Sequence, residues 1–275
     1  MMAAIVDDDA RAVRRMLQVD AVLATRLVRR SKLYDSRIFH WIYVGDTALH
    51  LAAAGYRVEI VRRLLASGAD PNAAGNGRRS SPLHYAADGF ITGPAWDAKR
   101  QVETIRCLLH QGADIRLQDK NGATPLHRAV RTRCAAAVKF LLEAGSDPTI
   151  RNKSGSTPFH LAVQNTGRGG TGAPAAVSAQ REIIKAFLSL GVDPNLKSSR
   201  GKSVADSVQS AWVREVLTEG EDDWKRFSLR VESGVDVREE VFRLAIARHW
   251  AVRELTQRRA TLEDVFVEIT HSDAV

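Results

Sequence analysis

The sequence predicts a mostly α-helical solenoid of stacked helix pairs, with β-hairpin fingers along one side and a small α+β appendage at the C-terminal end. Three observations carry that prediction: a helix-start motif that recurs along the chain, a helix-end motif that keeps step with it, and the loss of both after Leu217. Such units cannot bury an apolar face alone; stacking gives them a continuous core.

The start motif reads Thr47-Ala48-Leu49-His50, Ser81-Pro82-Leu83-His84, Thr124-Pro125-Leu126-His127 and Thr157-Pro158-Phe159-His160, at spacings of 34, 43 and 33 residues. A degenerate fifth copy, Ser203-Val204-Ala205-Asp206, follows 46 residues later. A Thr or Ser hydroxyl caps free N–H groups at a helix start, and Pro suits the first turn because it has no N–H to lose. The end motif, Leu64-Leu65-Ala66-Ser67-Gly68-Ala69-Asp70-Pro71-Asn72, returns at Leu108-Leu109, Leu141-Leu142 and Phe187-Leu188, each time followed by Gly-x-Asp. The Gly ends a helix in a left-handed turn, and Asp-Pro-Asn begins a hairpin. Between the two motifs, Val58 to Ala66 places Ile60, Val61, Leu64 and Leu65 on one stripe, spaced for burial.

These linked motifs resemble the ankyrin repeat over about Gly45 to Leu217. The resemblance implies about five repeats over residues 45–217 and a non-enzymatic scaffold that holds another protein on its finger tips and inner helices. It also implies a structural role for His50, His84, His127 and His160, hydrogen-bonding across repeats. Recurring once per repeat, they form a ladder that does not converge on a metal.

Residues 1–44 read as an N-terminal helical cap and a long connection. Asp9 is the expected N-cap of a helix with Val13, Met16 and Leu17 on one face, and Ile38, Phe39, Trp41, Ile42 and Tyr43 are expected to cover the first repeat. Insertions at Asp88–Arg100 and Asn165–Ala179 lengthen the link between the helices of repeats two and four. Both should emerge on the edge away from the fingers, with Phe90, Ile91 and Trp96 folded back over the outer helices. Val204 to Leu217, with Trp212, Val216 and Leu217, reads as the final helix pair.

Residues 218–275 read as an acidic linker, Glu219 to Asp223, and a small α+β tail. A strand is predicted at Phe227–Val231, a helix at Val237–Arg248 and a strand at Trp250–Leu255. Thr261-Leu262-Glu263-Asp264 predicts a last helix, with Thr as cap and acids in the first turn. Thr261 to Thr270 resembles the C-terminal accessory segment of ABC-transporter ATP-binding subunits, which implies a non-catalytic regulator associated with such a transporter. Nothing of ATP hydrolysis follows. The glycine-rich run Gly167–Gly172 lacks a feeding strand and the Lys-Ser/Thr pair, and Gly201-Lys202-Ser203 lacks the upstream Gly.

Charge narrows the partner. The net charge of +8 divides as +3 over residues 1–44, +9 over 45–211 and −4 over 212–275. A basic middle predicts an anionic partner: a protein with an acidic segment, a nucleic acid such as RNA, or the chain's own acidic tail. Few aromatics interleave with the bases, so nucleic acid ranks second. The expected partner-binding residues are Arg78, Arg79, Lys120, Arg151, Lys153 and Arg200 on the fingers, with Tyr85, Arg128, Arg131 and Gln164 facing the groove from the inner helices. No catalytic residue, metal site or cofactor is expected, and the chain should be monomeric. Cys107 and Cys134 are too far apart for a redox or zinc motif and read as reduced packing residues. The absence of an apolar run near 18–20 residues and the acidic start Asp7-Asp8-Asp9 make the cytoplasm the expected location.

Overall fold

A computed structural model describes residues 1–34, 37–89, 91, 93, 96–164, 174–222, 224–231, 251–261 and 264–272, with side chains as far as Leu217. The chain forms two compact units, Met1–Ser210 and Ala211–Val275.

The first unit opens with α1 (Met2–Val6) and α2 (Ala10–Val19). The Asp9 carboxylate accepts from Ala12 N at 2.8 Å and starts α2 as expected. Ile5, Val13 and Leu17 are buried. A 3-10 turn, Ala21–Ala24, leads to the antiparallel pair β1 (Lys32–Tyr34) and β2 (His40–Ile42), in register at Leu33 and Trp41. This hairpin supplies the expected cover over the first repeat only in part, because Trp41, on the strand's other face, is 44% exposed. Ile38 and Ile42 are buried, and Ile38 packs beside Gly55.

Four helix pairs follow: α3 (Ala48–Ala54) with α4 (Val58–Ala66), α5 (Pro82–Ala87) with α6 (Ala98–His110), α7 (Pro125–Arg131) with α8 (Ala135–Glu143), and α9 (Pro158–Ala162) with α10 (Pro174–Ser189). The inner row α3, α5, α7, α9 packs in series, and so does the outer row α4, α6, α8, α10. Leu49, Leu83, Leu126 and Phe159 repeat once per inner helix and are all fully buried. Phe159 stacks on Phe187 of α10 with centroids 4.7 Å apart. Each outer helix ends on a left-handed Gly; at Gly112 (φ +84°) the turn lets Ala113 N donate to Leu108 O at 3.0 Å.

The insertions do more than extend loops. Repeat two's outer helix runs 13 residues and repeat four's 16, against 9 in α4, because each insertion ends by adding turns to that helix. The added turns carry two buried glutamines. Gln101 donates to Ala86 O at 3.0 Å, and Gln180 to Ala162 O at 2.7 Å, so each satisfies carbonyls at the end of its inner helix. Trp96 is half-buried with its indole N–H on Gln101 Oε1. Phe90 and residues 165–173 lie outside the described residues.

The fifth motif makes less than a helix. Ser203 and Asp206 cap one another reciprocally, at 3.0 Å each way, but the turn Ala205–Ser207 stops at Val208, which is extended. In the second unit α11 (Ala211–Asp222) continues through the acidic run expected as a linker; Glu and Asp do not oppose a helix there. Then β3 (Trp224–Val231), β4 (Ala251–Thr261) and β5 (Asp264–Ser272) form an antiparallel sheet in the order β3-β5-β4. The first two match the expected strands. The last helix expected from Thr261 is instead β5. Five of the six residues Val265 to Thr270 are β-branched or aromatic, and the segment pairs on both sides, a tertiary gain that overrides a local capping signature. The helix expected at 237–248 lies outside the described residues.

Candidate interaction surface

The fingers are built from one repeated device. Asn76, Asp119 and Asn152 each turn a side-chain oxygen back onto the backbone N–H groups two and four residues on, at 2.8 to 3.1 Å. The fourth finger closes through Ser198 N to Lys202 O at 2.8 Å. Neighbouring fingers are then joined by main-chain bonds: Lys120 N to Arg78 O (2.7 Å), Lys153 N to Asn121 O (2.9 Å) and Ser199 N to Gly155 O (3.0 Å). The tips therefore form one hydrogen-bonded ladder. Gly122 (φ +71°) stands where the next finger's backbone passes, and a Cβ there would lie 2.9 Å from Lys153 N. In the first finger the same place holds Arg79, at φ +52°. A non-glycine residue in that region costs roughly 1–2 kcal/mol.

The histidines bind each repeat to the next. Each Nδ1 accepts from the backbone N–H of its own helix's cap residue at 3.0 to 3.4 Å. Each Nε2 faces a carbonyl of the following finger: Ser80 O at 3.0 Å, Ala123 O at 2.9 Å, Ser156 O at 3.2 Å and Lys202 O at 3.1 Å. A carbonyl can only accept and a backbone N–H can only donate, so every ring is the neutral Nε2–H tautomer. Burial lowers the pKa of all four, to about 4 for His84 and His127.

Of the residues expected to meet a partner, Arg79, Lys120, Arg131, Arg151, Lys153 and Arg200 are exposed. Arg78 is half-buried, with its guanidinium donating to Tyr43 Oη at 2.8 Å and lying 4.9 Å from the ring centroid. Arg151 also donates to Lys197 O at 2.6 Å, which ties the third finger to the fourth. Gln164 is half-buried, and its carbonyl accepts from Arg133 and Gln180. Tyr85 and Arg128 do not open onto a groove: they are 2% and 5% exposed. The Tyr85 hydroxyl donates to Asp46 at 2.7 Å, and its ring lies under His40 of β2, centroids 4.7 Å apart. Arg128 is clamped between Asp119, at 2.5 Å, and Asp88, at 3.3 Å. Burial alone would raise the Asp88 carboxyl, but His40, Arg128 and Arg131 hold it below the usual range. The aromatic run 38–43 was the one signal that this inner face is covered.

Among the described residues, no cluster of three or more His, Cys, Asp or Glu is placed to hold a metal. Both cysteines are buried, and burial pushes the Cys134 thiol up to about 11, far from a thiolate at neutral pH.

Comparison with known proteins agrees with the repeat geometry. The family model described as ankyrin repeats in three copies matches residues 95–198, and that of a single ankyrin repeat matches 44–76. A stretch of 92 residues is 37% identical to human neurogenic locus notch homolog protein 4, covering 34% of this chain and 4% of that much longer protein. The chain thus carries ankyrin repeats, and such repeats imply a role in protein–protein interaction. These family matches end at residue 198 and give the ABC-transporter likeness of the tail no support.

Proposed function

We propose that the chain is a non-catalytic scaffold that binds an acidic segment of a partner protein along the basic ladder of finger tips. One observation carries this reading. The tips present Arg79, Lys120, Arg151, Lys153 and Arg200 outwards, while Asp119, the acid at the second tip, is turned inwards onto Arg128 and the exposed acids Asp70, Asp114 and Asp193 stand back where the hairpins begin. Main-chain hydrogen bonds between fingers fix the backbone that carries these cations, so on binding the scaffold has only their side chains to order. Two reduced, buried thiols suit a cytoplasmic protein.

The test is affinity purification with the intact chain and with Lys120→Glu/Lys153→Glu/Arg200→Glu. The account expects one protein partner that survives nuclease treatment, is recovered by the native chain and is lost by the triple variant. Recovery that survives the charge reversal, or that nuclease abolishes, would overturn it.

A further inference from the structure

A cleft of about 910 Å³ opens where three segments meet: the turn Arg26–Ser31, the chain just after β2 at Tyr43–Gly45, and the first finger at Gly75–Arg78. Its walls are apolar. Leu27 is 57% exposed and Val44 54%, large fractions for aliphatic side chains, and the Tyr43 ring stands beside them. Its cations are Arg26, which is paired with Asp20 at 3.2 Å, Arg29 and Arg78, and among the described residues no carboxylate lines it. The walls are held by main-chain bonds from Gly45 N to Val28 O and from Val28 N to Asp46 O, at 3.0 and 2.7 Å. Tyr43 fixes the Arg78 guanidinium from below. The space beside Gly75 and Gly77 is open, so another main chain can approach the first finger closely. The same Arg78 accepts Lys120 N through its carbonyl, which makes the cleft the first step of the finger ladder.

We infer that this cleft is the anchor site of the partner: it takes one large apolar side chain flanked by Asp or Glu in an extended peptide, whose acidic run continues over Lys120 and Lys153. The inference rests on the finger reading above and gives it a location and a sequence preference. A small anion would meet the guanidiniums but leave Leu27 and Val44 in water. A purely apolar ligand would bring no anion to Arg29 and Arg78. Only a segment carrying both chemistries satisfies both walls. Burying one aliphatic side chain here corresponds to about ten-fold or more in affinity.

Random linear peptides displayed against the intact chain at low salt test this. The expected selection is peptides with several Asp or Glu around one large apolar residue. The best of them, synthesised, should bind about ten-fold or more weakly to Val44→Asp and to Arg29→Glu. Both side chains are exposed, so unchanged thermal melting should confirm that the variants fold. Acidic peptides indifferent to Val44→Asp but weakened by Lys120→Glu/Lys153→Glu would remove the cleft and leave the fingers standing. Selected peptides without acidic bias, or no selection at all, would remove both.

Discussion

Arg128 shows how much of the fold a single residue can carry. Its guanidinium bonds to Asp119, Asp88 and the Ser80 hydroxyl inside the stack, joining residues of repeats two and three. Removing one member of a buried ion cluster leaves the others uncompensated, at a cost of about 3–5 kcal/mol. Arg128→Ala should therefore lower the urea midpoint strongly, whereas the exposed Lys120→Ala should stay within about 0.5 kcal/mol of the native chain. Equal effects would mean that Arg128 is not buried. The histidines make a second prediction. Their folded pKa values lie below the ordinary 6.5, so between about 6.5 and 4 the unfolded chain binds more protons than the folded one. Stability is fully present above pH 6.5 and is lost as the pH falls towards 4, by about 1.4 kcal/mol per pH unit for each histidine that titrates. Urea midpoints measured from pH 7 to pH 4.5 should fall steadily, and less steeply in a His84→Asn/His127→Asn variant. A flat profile would contradict the neutral ladder.

At the scale of elements, the fingers depend on close approach. Gly122→Ala forces a Cβ against Lys153 N, while Gly112→Ala meets nothing within 4 Å, although both glycines have positive φ. Both substitutions incur the left-handed penalty of roughly 1–2 kcal/mol, and Gly122→Ala should cost more because it also breaks into the next finger. Equal losses in thermal melting would show that the ladder is not tight. The contrast explains what was legible in the sequence. Thr-Pro starts and Gly-x-Asp ends are local chemistry, so the helix pairs from Ala48 to Ser189 could be read directly. The burial of Tyr85 was not local: it is set by His40 and Asp46, brought in by the connection that folds over the inner face. Gln101 and Gln180 were equally hidden, since only the finished helix ends create carbonyls for them to satisfy. The tail failed for the same reason. Thr261-Leu262-Glu263-Asp264 looks like a helix cap locally, but β5 is decided by pairing with β3 and β4.

For the whole molecule, the stacked repeats bury a continuous apolar interior and leave Arg79, Lys120, Arg151, Lys153 and Arg200 exposed on the finger tips. Among the described residues, no helix is long and apolar enough to cross a membrane. The finger cations are exposed, so each contact with an acidic partner is weak alone and several must act together. Interactions of that kind are screened over about 8 Å at physiological ionic strength and weaken as salt rises. The most direct measurement is the dissociation constant of the purified partner for the intact chain at low and at high salt, alongside Lys120→Glu/Lys153→Glu. The account predicts about ten-fold or more weakening with salt for the native chain, and a much shallower dependence for the variant. The same affinity at both salt concentrations, or the same dependence in both proteins, would contradict recognition through the basic ladder.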